Sequence, residues 1–283
     1  MIGNQVKTVL LLAGLTGILL VIGQLIGGFT GLTVALGIAI VMNLVSYWYS
    51  DKIVLFIYRA KLASESEYPK LHEIARDLST RSGLPKPRLY IINSDNPNAF
   101  ATGRNYQNSA VAVTTGILSL LDTDELKGVL AHEFSHIKNR DILISTIAAT
   151  IAGAIAYVAF IARFAAIFGG MRGEGGNGRG ILELIILAIL APIIATIIRL
   201  AISRSREYLA DESGAKMIQN SLPLASALTK LHSVSKIKPM RRGSETTAHM
   251  FIVNPFSGRY LLNLFSSHPP IHDRVGKLRA MKF

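Results

Sequence analysis

The chain has 283 residues, half of them hydrophobic and only 17% charged, and its mean hydropathy is positive at +0.38, which is too apolar for an ordinary soluble domain and points to a membrane protein. Cysteine is absent; that excludes a disulfide framework and any thiolate metal site, leaving His, Asp and Glu as the side chains for a metal. The formal charge of +12 does not read as a nucleic-acid surface, because Lys and Arg gather beside apolar segments and in the last third, without interleaved aromatics or a Gly-rich phosphate loop, and anionic lipid headgroups are the fitting counter-charge.

Residues 8–50 carry no charged side chain. As a single helix this run would measure roughly 65 Å against a hydrocarbon core of about 30 Å, so two crossings are predicted. The break falls in QLIGGFTG (24–31), where Gly27, Gly28 and Gly31 permit a tight turn. A cleaved signal peptide would have a shorter apolar region followed by a small-residue cleavage site. Further along, 142–162 and 184–198 are again uncharged and flank the loop GGMRGEGGNGRG, which predicts a second hairpin. The expected organisation is a transmembrane hairpin at 1–50, a first polar part at 51–141, a second hairpin at 142–198 and a second polar part at 199–283. An even number of crossings separates the two polar parts, so they form one body on one face of the membrane. Lys7, Lys52, Arg59, Lys61, Lys138, Arg140, Arg199, Arg204 and Arg206 flank that body. The far side carries only Arg163, Arg172 and Arg179, so the body is expected to face the cytoplasm.

Within the body, EYPKLHEIARDLSTRSG (67–83) places Leu71, Ile74, Ala75 and Leu78 at helical spacing and stops at Gly83. PRLYIIN (87–93) and SAVAVTT (109–115) read as strands joined by a turn-rich segment containing NAFATG (98–103). Asp122, with Glu125 three residues on, predicts a capping box at the start of the next helix. The fold expected is mainly α with a small β-sheet.

The capped helix carries AHEFSHIKNRD (131–141). His132 and His136 are four residues apart, about 40° around the helix and one turn up, so both imidazoles reach one metal ion, and Glu133 projects between them. Zinc lowers the pKa of a coordinated water to about 7, and a carboxylate beside it can take the proton as the water attacks an amide. A third His ligand in the HExxH-plus-Gly-and-His pattern would require Gly at 139 and His at 142, where the chain has Asn139 and Ile142. A class that draws a glutamate from a later helix fits SRSREYLADESGAK (203–216), which offers Glu207 with Asp211 one turn further on. The plainer reading of Glu207 is a surface charge paired with Arg204 or Arg206. An intramembrane protease would bury its HExxH in an apolar run, whereas here Asp122, Asp124, Glu125, Lys127, Lys138, Arg140 and Asp141 surround it.

Taken together, HEFSH, SREYLAD after an apolar hairpin, NAFATG ahead of the zinc helix and SHPP near the C-terminus resemble the HtpX family of membrane-bound zinc endopeptidases, over essentially the whole chain. The resemblance implies a cytoplasmic gluzincin-type domain in a prokaryotic cell membrane, degrading misfolded membrane proteins or unfolded polypeptides. It implies one zinc ion held by His132, His136 and Glu207, Glu133 as general base, and Asp211 hydrogen-bonded to a ligand histidine. It places His268 near the active site, where a histidine or Arg274 would stabilise the oxyanion; both are otherwise exposed groups where a loop leads into a helix with Pro270 in its first turn. Asn98, Ala99 and Phe100 resemble an edge strand offered to extended substrate, or else an ordinary turn into a strand. The alternative from another class is a non-catalytic membrane chaperone or binding protein with a structural metal, for which Glu133 has no use.

Overall fold

The structure, a computed structural model, describes residues 2–151, 204–235, 250–253 and 269–283. Its first helix, α1 (Ile2–Ile57), breaks at Gly27 (φ −137°, ψ 17°) and Gly28 (φ 57°, ψ −138°). The Gly28 conformation is one that a Cβ disfavours, so the chain turns at the glycine pair. The two legs lie alongside each other, with Asn43 Nδ2 donating to Thr16 Oγ1 at 2.8 Å. The second leg, Gly27–Ile57, has 31 apolar-rich residues; at 1.5 Å per residue it exceeds the roughly 30 Å of a hydrocarbon core. Leu36, Ile40, Val41 and Leu44 stand exposed along it, an apolar surface suited to lipid. The apolar part of the first leg, Val6–Val21, is shorter.

Past α1 the chain forms β1 (Lys61–Leu62), α2 (Pro69–Ser82), β2 (Arg88–Ile92), β3 (Ala99–Gly103), β4 (Ser109–Thr114), α3 (Thr115–Leu120) and α4 (Thr123–Lys138). Then come α5, described over Asp141–Ile151, α6 (Arg204–Ile218), α7 (Leu222–Ser235) and α8 (Ile271–Ala280). The described residues are thus mainly helical with one small mixed sheet of order β1-β2-β4-β3. β2 and β4 run parallel, and the outer strands pair antiparallel. The remainder of the expected second hairpin, 152–198, lies outside the described residues.

The sequence expectations for α2, β2 and β4 match within a residue or two. The capping box is present: Glu125 N donates to Asp122 Oδ1 at 2.9 Å and Asp122 N to Glu125 Oε2 at 3.1 Å. Glu125 also accepts from Ser226 Oγ (2.6 Å) and Lys230 Nζ (2.7 Å), which ties the start of α4 to α7.

The main core forms where α4 is pressed between the sheet and α2 on one side and α6 and α7 on the other, with Leu78, Val111, Val113, Leu130, Phe134 and Leu228 at its centre. A second cluster packs Tyr58 and Phe100 edge to face on Phe251 and tilted against each other, with ring centroids 5.0 to 5.8 Å apart. A third joins the first leg of α1 to α5: Leu11 and Leu15 pack against Ile144, Ile147 and Ile151. Because α5 begins three residues after α4 ends, the helix bearing HEFSH is fastened to the apolar hairpin through this cluster.

Candidate metal centre

The i, i+4 spacing in α4 sets the His132 and His136 rings perpendicular, with centroids 4.7 Å apart and Nε2 atoms 3.2 Å apart. α6 approaches α4 so closely that a Cβ on Gly214 would come within 2.9 Å of His132 N. Only a residue without a side chain permits this contact. The approach brings Glu207 to the histidines: its Oε2 lies 3.8 Å from His132 Nε2 and its Oε1 3.6 Å from His136 Nε2. One ligand atom from each of His132, His136 and Glu207 falls within 4.8 Å of the others. Tetrahedral zinc with bonds of about 2.0–2.2 Å sets its ligand atoms roughly 3.3 Å apart, so this set fits a metal of that kind. Two imidazole nitrogens and a carboxylate gathered in one buried place make a donor set suited to such an ion. Glu212, five residues beyond Glu207, points outward and pairs with Lys216 at 2.5 Å.

Each imidazole is backed by a carboxylate. His132 Nδ1 lies 2.9 Å from Asp211 Oδ1, and His136 Nδ1 lies 3.2 Å from Asp141 Oδ2. Such partners fix ring orientation and leave the opposite nitrogen for the metal. Each carboxylate in turn faces an arginine. Arg274 holds both oxygens of Asp211 at 2.7 and 2.6 Å, and Arg206 Nη1 lies 3.5 Å from Asp141 Oδ1.

Charge in the site follows from this packing. Burial pushes the Glu133 carboxyl above its ordinary range, against the pull of the two histidines. Burial opposes a charged His136, but the carboxylates of Asp141, Glu207 and Glu133 outweigh it and push the metal-free imidazole up to about 9. Burial likewise raises Asp211, and Arg274 overrides it to hold the carboxylate below its usual value.

Sequence reasoning brought His132, Glu133, His136, Glu207 and Asp211 together, and in the structure they are together. Asp141 and Arg206 were missed as members of the site. Asp141 was visible as the last residue of the AHEFSHIKNRD stretch, but its contact depends on the turn between α4 and α5, where Arg140 adopts a positive φ of 58°. Arg206, read in the sequence as a pair for Glu207, stands beside Asp141. Arg274 is completely buried behind Asp211 and does not line the cavity, unlike the exposed or oxyanion-facing placements expected for it. His268 lies outside the described residues.

The cavity in front of the histidines is walled by Glu133 and by Ala101, Ile142, Ser145, Met250, Phe251 and Ile252. β3 is an edge strand, as one reading of NAFATG expects. Thr114 N donates to Asn98 O at 3.0 Å, which turns the backbones of Asn98, Phe100 and Thr102 toward β4 and those of Ala99, Ala101 and Gly103 away from it. Ala99 O is already taken by Ile252 N at 3.3 Å. Asn98 Nδ2 donates to Val253 O at 2.6 Å. The outward edge beside the cavity is therefore centred on Ala101, whose backbone N–H faces Glu133, and not on Asn98–Phe100.

Residues 65–282 match the family model for peptidase family M48. The chain belongs to that family. Similar proteins include the protease HtpX homolog of Syntrophobacter fumaroxidans, 53% identical over 281 residues that cover 99% of this chain and all of that one. The protease HtpX homolog of Pyrococcus furiosus is 53% identical over 280 residues, covering 99% of this chain and 96% of its own. The crystal structure of S. mikatae Ste24p is similar in fold, with a TM-score of 0.50 at 18% identity, covering 98% of this chain and 66% of that one. Membership of M48, with His132, His136 and Glu207 gathered as metal-ligand candidates, makes this protein a metalloprotease.

Proposed function

We propose that this M48 protein is a multi-pass membrane zinc endopeptidase that cleaves membrane proteins or unfolded polypeptides in the quality control of a prokaryotic cell membrane. The observation that carries the proposal is the convergence of His132, His136 and Glu207 in a cavity that also holds Glu133. In this reading those three residues hold one zinc ion and Glu133 is the general base. Among the described residues three protein ligands gather, whereas a structural zinc site has four and no use for Glu133.

When bound, zinc would supply Lewis acidity, lowering the pKa of a water to about 7 and polarising the scissile carbonyl. The protein's own groups do the rest. Glu133, raised by burial and oriented by the Ala101 N–H, accepts a proton from the attacking water and delivers it to the leaving amine. Asp211 and Asp141 keep the two imidazoles in place. An extended substrate lies against the outward backbone of β3 at the Ala101 carbonyl, where main-chain pairing gives affinity without demanding a sequence. In this reading the body built from 51–141 and 199–283 faces the cytoplasm between hairpins at 1–50 and 142–198, with the cavity close to the bilayer; the packing of α5 on α1 supports it.

The test is casein digestion by the full chain purified in detergent. Digestion should stop with a chelator and return with added zinc. Cleavage that survives the chelator, or no cleavage with zinc present, would contradict the proposal.

A further inference from the structure

Arg274 is the largest fully buried side chain among the described residues, and a guanidinium is placed out of water only where its donors are matched. Its Nε and Nη2 form a fork on the two oxygens of Asp211, at 2.7 and 2.6 Å. Its Nη1 donates to Ile252 O at 3.3 Å and stands 3.5 Å from Glu207 Oε2. The Asp211 oxygen held by Nη2 is the one that lies 2.9 Å from His132 Nδ1. Guanidinium, carboxylate and imidazole are thus chained across α8, α6 and α4, and the same guanidinium reaches the third ligand candidate.

We propose that Arg274 is a positioning residue of the metal centre: it fixes Asp211 against His132 and backs Glu207, so docking of α8 completes the ligand set. This rests on the metalloprotease reading above. The planar fork matters because both carboxylate oxygens must be held for Oδ1 to keep its direction toward His132, and an ammonium, as a point charge, cannot do this. Arg274 also gives Asp211 and Glu207, acidic groups one turn apart on α6, a shared counter-ion. With its donors on Asp211 and Ile252, it stands behind the cavity wall without lining it and is not a catalytic residue.

Competition for zinc against a chromophoric chelator, using the full chain in detergent, tests this. R274Q should weaken zinc affinity by roughly 10- to 100-fold, the scale for losing a partner of a metal ligand. R274K should recover only part of the loss. D211N should weaken affinity to a similar degree, and R274Q combined with D211N should be no weaker than the more affected single variant, since both act through one contact. A merely structural arginine would lower the melting temperature of the chelator-treated protein while the affinity losses multiplied independently. If R274Q does not yield folded protein, R274K and its combination with D211N carry the same cycle. Wild-type affinity in R274Q, or in R274K where R274Q does not fold, contradicts the role of Arg274 alone, as do losses that multiply. Absence of zinc binding by the wild type would overturn both this proposal and the peptidase reading.

Discussion

Glu207 and Glu212 sit five residues apart on α6, yet one faces two imidazoles and the other an exposed lysine. Glu207→Gln should therefore reduce metal retention by at least the roughly 10- to 100-fold that losing an outer partner costs, while Glu212→Gln should change stability by no more than about 0.5 kcal/mol and leave metal content intact. Metal analysis of the two purified variants checks this, and the reverse pattern would remove Glu207 from the ligand set. His136 adds a pH dependence. Its metal-free pKa is raised from 6.5 to about 9, so the stability gained from its proton is complete below about 6.5 and is lost as pH rises through about 9. Between those values the metal must displace that proton. Zinc affinity should rise with pH across the window and each ion taken up should release a proton, as calorimetry in two buffers of different ionisation enthalpy would register; affinity flat across the window would contradict the placement of His136. The HEFSH pair was legible in the sequence because helical spacing alone aligns its rings. Which arginine serves which carboxylate was not, because Arg206 and Arg274 find their partners only through the packing of α6 and α8.

The elements that build the centre are α4 and α6, and they meet through Gly214. Gly214→Ala would set a Cβ 2.9 Å from the backbone N of His132, so α6 must move away and carry Glu207 and Asp211 with it. Metal retention should fall in this variant. Gly276→Ala is the control: it lies exposed on α8 with nothing within 4 Å of its Cβ position, and should be neutral or stabilising by about 0.4–1 kcal/mol. Equal metal content in the two variants would mean that the close approach of α6 is not needed. α2, β2 and β4 were legible because apolar periodicity and their stop signals agree with their buried faces. β1 was not, since two exposed residues carry no periodicity. NAFATG could be placed on an edge but not in register, because the outward direction of Ala101 depends on pairing with β4 and on cover from 250–253.

For the whole molecule, the apolar cluster between α1 and α5 ties the first leg of α1 to the helix that follows HEFSH. The excess of positive charge beside the polar body predicts that reporters fused after Lys61 and after Phe283 both signal from the cytoplasm; an external signal at both would invert the orientation, and a split result would mean an odd number of crossings. The break in α1 was legible because a glycine pair in an uncharged run is a local signal, whereas the body that follows is assembled from segments far apart in sequence. The central claim is that the assembled body is a metal-dependent peptidase whose base is Glu133, and Glu133→Gln tests it most directly, with metal content and peptide cleavage measured on the same preparation. Zinc should be retained as in the wild type while cleavage falls by about 10² to 10⁴, the usual scale for a general acid or base. Cleavage near the wild-type rate with zinc retained would contradict the account.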